Sequence, residues 1–408
     1  MKRIVLIGIL LMAFLSNTIA QEMPFSFKWD NGFKLESVDK KFKLKFGGRV
    51  MVDHAFFSQD ADLDQLFGVL ATTSATEIRR ARIFFAGTVY SNVAFKLDLG
   101  FEGGAVALKD MYIGIKDIPV IGNLRIGHVK EPFRLEMLTS SKYITFSERS
   151  FNSDFSPIRN SGILMFNDFL NKRVSAQAGL FRNVNVRTAN DVIANDGYTF
   201  TGRVTGLAIN DESKKQLLHI GLGYSFRKPS TNEYKVSSKP EVHLSTQKYI
   251  NTGTIEDVTH VKLVNFEMAF VRGPLFLQAE YITSNVNRGN TNTIDRYSFY
   301  GYFGQVSYFL TGEHKKYKSS YSGFDRVRPT SNFGGTENKG LGAWEIAIRY
   351  SNSNLNSGDV LGGNQTDITL GLNWYLNPAT KVSFNKVWAN IEDKGNANAF
   401  QMRFQVDF

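Results

Sequence analysis

The last nine residues, FQMRFQVDF, alternate without a break. Phe400, Met402, Phe404, Val406 and Phe408 point one way on an extended strand, and Gln401, Arg403, Gln405 and Asp407 point the other. A soluble sandwich accommodates one such strand, so the constraint lies in its repetition. From Lys41 to Phe57, Phe42, Leu44, Phe46, Val50, Val52 and Phe56 oppose Lys41, Lys43, Lys45, Arg49 and Asp53. Val93, Phe95, Leu97, Leu99 and Phe101 oppose Lys96, Asp98 and Glu102. Leu218 to Phe226 oppose His219, Ser225 and Arg227; Trp344 to Tyr350 oppose Glu345, Arg349 and Ser351; Ile368 to Leu376 oppose Asp367, Thr369 and Asn373. Charge recurs on the inner face of these strands. A closed sandwich core cannot hold so many unpaired charges, whereas a water-filled lumen can. Aromatic residues make up 13 % of the chain while mean hydropathy is −0.21, a pairing that suits a barrel with a greasy outside and a wet inside.

The connections alternate as well. Short turns such as Tyr90-Ser91-Asn92 and Arg272-Gly273-Pro274 trade places with long polar loops, Ser58–Glu77, Asn183–Gly197 and Ser351–Gln365. The pattern predicts an all-β fold, a transmembrane antiparallel β-barrel of about 16 strands. Its last strand must close on its first, because an open edge in lipid leaves backbone groups unsatisfied. The N-terminus, MKRIVLIGILLMAFLSNTIAQ, has the plan of a secretory leader: Lys2 and Arg3, an apolar run from Ile4 to Leu15, then Thr18 and Ala20 at the cleavage positions. That run is shorter than the roughly 20 residues of a spanning helix. The expected organisation is a signal peptide over 1–20, an N-terminal periplasmic hairpin over 21–39 and an outer-membrane barrel over 40–408. Asp30-Asn31-Gly32 supplies the turn of the hairpin.

Composition excludes several functions. The chain has no cysteine, hence no disulfide, thiolate metal site or thiol nucleophile. Its six His show no metalloprotease spacing, and no P-loop, dinucleotide or nucleophile-elbow motif occurs. No catalytic role, metal or cofactor is expected. SQDADLD at Ser58–Asp64 spaces three acids like a calcium loop, but Gln65 and Ala71 stand where Gly and Glu belong, so it reads as a solvated loop. Without Lys2 and Arg3 the 48 basic residues fall to 46 against 38 acidic, a net charge of +8. That balance suits anionic partners, and export excludes nucleic acid.

The stretch RIGHVKEPFRLEMLTSSKYITFSERS, Arg125–Ser150, resembles the phosphate-selective porin O/P family. Gly47–Arg49 (GGR), Arg79–Ile83 (RRARI), Gly301–Tyr317, Gly342–Tyr350, Leu370–Pro378 and the terminal FQVDF match in order, so the resemblance spans about residue 39 to the C-terminus. It implies a 16-stranded barrel of the bacterial outer membrane, a homotrimer, passing anions and in some members selecting phosphate. The terminal Phe resembles the signal read by outer-membrane assembly machinery. Arg49, Arg79, Arg80 and Lys45 match family positions. A lysine follows the Leu-Glu of the constriction motif in phosphate-selective members, where this chain has Met137; where those members carry a run of arginines, SSKPEVHLS offers only Lys239.

Residues 131–160 make too long a segment for an ordinary connection. Pro132 interrupts the β pattern and Thr139-Ser140 reads as a helix start, so the segment is expected to fold inward as a constriction loop. Lys142 and Arg149 on it either face the pore or are simply solvated. On the second barrel strand, parity places Arg80 and Arg82 on the lumen wall, as anion-attracting guanidiniums or as charges paired with Asp98 or Glu102. Arg79 has outward parity and is expected above the apolar band, since Arg at the lipid midplane costs roughly 2–4 kcal/mol. Lys43, Lys45 and Arg49 form an inward basic row, which either focuses anions or matches lipopolysaccharide or a neighbouring loop. Lys315, Lys316 and Lys318 are expected solvated at the periplasmic side. The functional expectation is a passive porin with moderate anion preference, for phosphate-like or polyphosphate solutes, in contact with outer-membrane lipid and lipopolysaccharide. The alternative is a non-conducting barrel serving as an adhesion or binding scaffold.

Overall fold

The computed structural model describes residues 25–30, 32–185, 187–189, 197–289, 293–334 and 339–408. The expected leader, the first residues of the predicted hairpin and its turn residue Asn31 lie outside the described residues. A hairpin comes first, β1 (Phe25–Trp29) and β2 (Phe33–Ser37), paired from Phe25↔Ser37 to Trp29↔Phe33. The barrel starts with β3 (Lys43–Gln59), β4 (Ser74–Val89), β5 (Val93–Gly100), β6 (Ala107–Ile118) and β7 (Gly122–Lys130). It continues through β8 (Arg159–Phe169), β9 (Val174–Arg182), β10 (Tyr198–Asp211) and β11 (Gln216–Lys228). A small pair, β12 (Ser237–Ser238) with β13 (Ile250–Asn251), interrupts before β14 (Val258–Arg272), β15 (Leu275–Arg288) and β16 (Arg296–Phe309). Another, β17 (Tyr317–Ser319) with β18 (Gly323–Phe324), precedes β19 (Ala343–Ser357), β20 (Val360–Asn377), β21 (Thr380–Ile391) and β22 (Gly395–Asp407).

Sixteen of these strands, among the described residues, form one antiparallel ring, since β22 returns to β3 in register from Ala397↔Gln59 to Asp407↔Arg49. The alternation sorts side chains as its period requires. Val50, Val52, Phe56, Leu222, Ile346, Ile368, Leu370, Phe400 and Phe404 are exposed on the outside. Phe95, Leu97 and Leu372 share that face and are half-buried by their neighbours. Asp53, Glu345, Arg349, Asp367, Gln401 and Arg403, between them, are buried.

Below Arg49 the C-terminal strand ends, and β3 would present an unpaired edge. β2 takes its place, pairing Phe33↔Phe46 to Glu36↔Lys43. At the junction Gly48 N–H donates to the Phe408 carbonyl (2.7 Å) and Phe408 N–H donates to the Gly48 carbonyl (3.2 Å). A Cβ on Gly48 would sit 2.5 Å from the Arg82 carbonyl and 2.7 Å from the Phe408 ring, so only glycine leaves room for this seam.

Three connections depart from expectation. Ser351–Gln365 is not a loop: β19 runs to Ser357 and β20 starts at Val360, so its Ser and Asn residues are rungs of a long hairpin. Ser351 and Ser353 lie on the inner face, where Ser351 Oγ donates to Glu241 Oε1 (2.7 Å), whereas Asn352 and Asn354 continue the outward row of Tyr350, and Asn354 Nδ2 donates to the Tyr300 hydroxyl (3.2 Å). The loop after β3 is shorter than Ser58–Glu77 and contains a helix, Ala61–Phe67. Asp60 caps that helix, accepting from Leu63 N–H (3.1 Å), and Asp62 and Asp64 favour its N-terminal dipole, which accounts for the acid spacing. Lastly, β16 and β19 are joined on the short-turn side by a long segment whose residues 310–327 turn into the barrel. Lys315, expected solvated, is buried there with its ammonium 3.0 Å from Glu345 Oε1.

The closeness of Gly48 to Phe408 can be tested directly. Gly48→Val should overpack the closure and cost about 1–3 kcal/mol. The folded, heat-resistant band on a denaturing gel should convert to the unfolded form at lower temperature than wild type; an unchanged transition would show that the seam tolerates a side chain.

Candidate functional site

Among the described residues, three segments enter the barrel: 131–158 and 229–257 from the long-loop end, and 310–327 from the other. The first crosses the interior to the far wall. Arg134, fully buried, donates to Glu280 Oε2 (2.9 Å) and Glu136 Oε2 (3.1 Å). Leu135 N–H donates to Glu267 Oε2 (2.7 Å), Ser147 N–H to Asn385 Oδ1 (2.8 Å), and Asn373 Nδ2 to the Thr145 carbonyl (2.8 Å). Its helical turns are Leu135–Leu138 and Asn152–Phe155. Thr139 therefore ends a helix rather than starting one, because its hydroxyl donates back to the Leu135 carbonyl (2.9 Å).

The inserted segments fill the side of the barrel bounded by β9 to β22. The inner-face charges of that side are paired rather than hydrated: Arg403 with Asp53 (2.6 Å) and Glu148 (2.7 Å), Arg203 with Glu267, and Arg349 with Glu241. The expectation of a wholly water-filled lumen is corrected accordingly. Space remains along β3 to β8, a cavity of about 750 Å³. Among the described residues, fourteen Lys and Arg line it against six carboxylates.

Of the cations singled out from the sequence, Lys45, Arg49, Arg80, Arg82, Lys142, Arg149 and Lys239 line this cavity. Lys43 does not. Its ammonium lies 3.0 Å from Glu36 Oε1, because β2 pairs with β3 at that level and carries the acid beside it. Arg79 is also inside, contrary to its parity. A β-bulge opposes Met51↔Arg80 and Val52↔Ile78, leaving Arg79 as an extra residue and turning it inward beside Arg80. There Arg79 Nε and Nη2 donate to the two oxygens of Glu148 (2.7 and 2.9 Å).

These cations differ in how they are held. Arg82 donates to Glu102 (2.8 Å) and Lys142 to Asp407 (2.8 Å). Arg80 has no carboxylate within ion-pair distance among the described residues, and its buried Nε has no partner. Arg49 Nη1 donates only to the hydroxyls of Ser141 (3.1 Å) and Ser140 (3.4 Å). Arg149 donates to the Glu136 carbonyl (2.9 Å) and Thr139 carbonyl (2.8 Å), and Lys239 to the carbonyls of His243 and Ser245. Burial holds the Lys142 ammonium down to about 8, with Asp407 pulling the other way. Burial likewise lowers Arg149 to about 10, against the pull of Glu136.

Other lining cations escaped the sequence reading. Arg125 lies 4.5 to 4.7 Å from the rings of Tyr112, Phe166 and Tyr321, which cover it as a cation–π partner. Its inward parity was legible between Leu124 and Ile126, but Tyr321 arrives from 310–327. Lys130 Nζ donates to the Met137 carbonyl (2.6 Å) and the Leu138 carbonyl (3.1 Å). Met137 itself lines the cavity. Lys96 and Arg159 share Asp110 at 2.6 and 2.7 Å. Guanidinium and ammonium groups unmatched by acids, in a narrow space between protein walls, attract oxyanions and halides and repel cations.

Comparison with known proteins agrees with this architecture. Porin O of Pseudomonas aeruginosa is 25 % identical over 405 residues, covering 91 % of this chain and 88 % of that protein. An anion-selective porin from Comamonas acidovorans shares the fold, with a TM-score of 0.55 at 12 % identity over 90 % of this chain and 100 % of that one. The trimer form of OmpT from Vibrio cholerae superposes with a TM-score of 0.52 at 11 % identity, over 89 % and 99 %. The family model described as phosphate-selective porin O and P matches residues 50–408, from the first barrel strand to the terminal Phe. A closed sixteen-stranded ring with an inward-folded motif segment and this match over nearly the whole barrel place the chain in one family: it belongs to the phosphate-selective porins O and P and is a porin of the bacterial outer membrane.

Proposed function

We propose that this porin is a passive diffusion channel with moderate anion preference, and that its path follows the wall from β3 to β8. The observation that carries this reading is the set Lys45, Arg49, Arg80, Arg149 and Lys239, which line the cavity without a carboxylate partner among the described residues. Arg82 and Lys142 add field around the same space but are each held by an acid. Charge in a narrow low-dielectric passage is screened little, so an unpaired row enriches anions along its length. The segment 131–160 serves as the constriction, since it brings Arg149, Ser140 and Ser141 opposite Arg49 and Arg80. The assembly is read as a trimer, the form in which Vibrio cholerae OmpT has been solved.

Selecting phosphate over chloride asks for more than field. Convergent donors must replace the water shell of the oxyanion. Met137 offers a thioether where phosphate-selective relatives place a lysine, and a thioether cannot hold an oxyanion. The proposal is therefore weak phosphate block of a chloride current.

In planar bilayers, Arg80→Glu combined with Arg82→Glu should lower the anion-to-cation permeability ratio roughly tenfold and move the reversal potential toward cations. An unchanged reversal potential would place the ion path elsewhere. Met137→Lys should strengthen phosphate block relative to wild type; tight block in the unmodified protein would sink the weak-selectivity reading. The Lys142 value near 8 supplies a pH test. A depressed amine keeps its charge below that pH and loses it above, so anion preference should fall between pH 7 and pH 9. The fall should be smaller in Lys142→Gln, and equal falls in both proteins would assign the titration to another group.

A further inference from the structure

The outer face of the barrel carries a group of cations that the channel reading does not use. At the long-loop end, Phe226 on β11 pairs with Lys262 on β14, and Lys262 pairs with Asn285 on β15. One step further out lie Lys228 on β11, His260 on β14 and Arg296 on β16. Lys262 has the parity of Val264, Phe266 and Met268, so it points away from the lumen; Lys262 and Arg296 are exposed. Arg296 Nη2 donates to Asn285 Oδ1 (3.0 Å). Among the described residues no carboxylate lies within ion-pair distance of Lys228, Lys262 or Arg296.

Aromatic rings mark the level of this group. Phe226 stacks on His260 (5.2 Å) and meets the tilted ring of Tyr198 (6.3 Å). On the lumen-distal faces of β15, β16 and β19, Tyr281, Tyr300, Tyr302 and Tyr350 form a chain of stacked rings 6.2 to 6.5 Å apart. Interfacial aromatic girdles sit at headgroup depth in outer-membrane barrels. Cations immediately beyond such a girdle meet lipid headgroups, and each Lys or Arg there attracts an anionic lipid. An uncompensated charge on a lipid-facing wall is costly unless a counter-charge meets it.

We propose that Lys228, Lys262 and Arg296, with the Asn285 amide between them, form a binding site for the phosphate groups of the outer-leaflet glycolipid, the lipid A part of lipopolysaccharide. The site rests on the outer-membrane location and is independent of ion selectivity. The chemistry is that of a surface phosphate clamp: two ammonium groups and a guanidinium on β11, β14 and β16, with Asn285 on the intervening β15 and Phe226 giving the acyl chains an apolar contact just below.

Native mass spectrometry of the detergent-purified full protein tests it. The probes are diphosphorylated lipid A, dephosphorylated lipid A, phosphatidylglycerol and inorganic phosphate. Wild type should retain diphosphorylated lipid A in preference to the other three. The variant Lys228→Gln, Lys262→Gln, Arg296→Gln should bind it about fivefold more weakly per cation removed, with single-channel conductance and reversal potential unchanged. Lys214→Gln with Lys215→Gln, at the short-turn end, should bind as wild type and controls for loss of charge alone. Equal retention by the triple variant, or equal retention of dephosphorylated lipid A or phosphatidylglycerol by wild type, would overturn the assignment. Should the triple variant unfold, Lys262→Arg, which keeps the charge, and Lys262→Gln are compared instead, and equal binding by these two would overturn it as well.

Discussion

In lipid, a backbone group without a hydrogen-bond partner has nowhere to turn, and the whole structure depends on that constraint. The ring must close, and it closes between the two ends of the barrel sequence. β22 covers β3 as far as Arg49, and the N-terminal β2 covers the rest. The exchange of hydrogen bonds between Gly48 and Phe408 joins the two coverings. Apolar residues then face outward along the strands, while the inner face carries polar residues and, on β14 to β16, Leu263, Ile282 and Phe299 in a buried cluster with Phe133 and Phe155 of the inserted segment. Everything inside the barrel is positioned relative to that wall.

The second consequence concerns charge. The inner face of an outer-membrane barrel carries polar residues because its outer face cannot, and here much of the interior is occupied by protein rather than water. Buried charges tolerate that only in pairs, and removing one partner of a buried pair costs about 3–5 kcal/mol. The pairs therefore double as fastenings. Glu148 of the inserted segment is gripped by Arg79 and Arg403 from the wall. Asp407 of β22 receives Lys142 from 131–158 and Arg326 from 310–327, so segments entering from opposite ends meet on one carboxylate. The tip of the latter is held by Arg203, which donates to the Ser320 carbonyl (2.9 Å), and by Arg125 against Tyr321. Acids are used up on the β9 to β22 side, and the cations left over line the opening along β3 to β8. The lopsided charge of the passage follows from where the fastenings are.

How much of this could be read beforehand depended on the reach of each interaction. Side-chain alternation is local, with a period of two residues, so the strands, the outward Leu222 and Ile346 and the inward Arg80 were legible. A bulge breaks the period at one residue and is invisible to parity, which is why Arg79 was expected outside and lies within. Polar composition is a poor guide to loops: Ser351–Gln365 reads as a loop because Ser and Asn are loop residues, yet Ser351 and Ser353 line the inner face of a strand and Asn352 and Asn354 extend its outer face beyond the apolar row. Lys315 and Lys43 depart from expectation for a related reason, since each is paired with an acid brought by another strand, Glu345 and Glu36.

The sequence by itself determined the fold class, the approximate strand number, the direction each strand faces and the segment that leaves the wall at Glu131, because these rest on periodicity and on residues that cannot continue a strand. Only the tertiary structure decided which cations remain free, where the opening runs and that two further segments enter the barrel, one of them from the short-turn end. Those outcomes depend on contacts between residues far apart in the chain, such as Arg134 with Glu280 and Arg403 with Asp53. Nothing in the local pattern of either partner announces the other, and a charge is free or bound according to that partner alone.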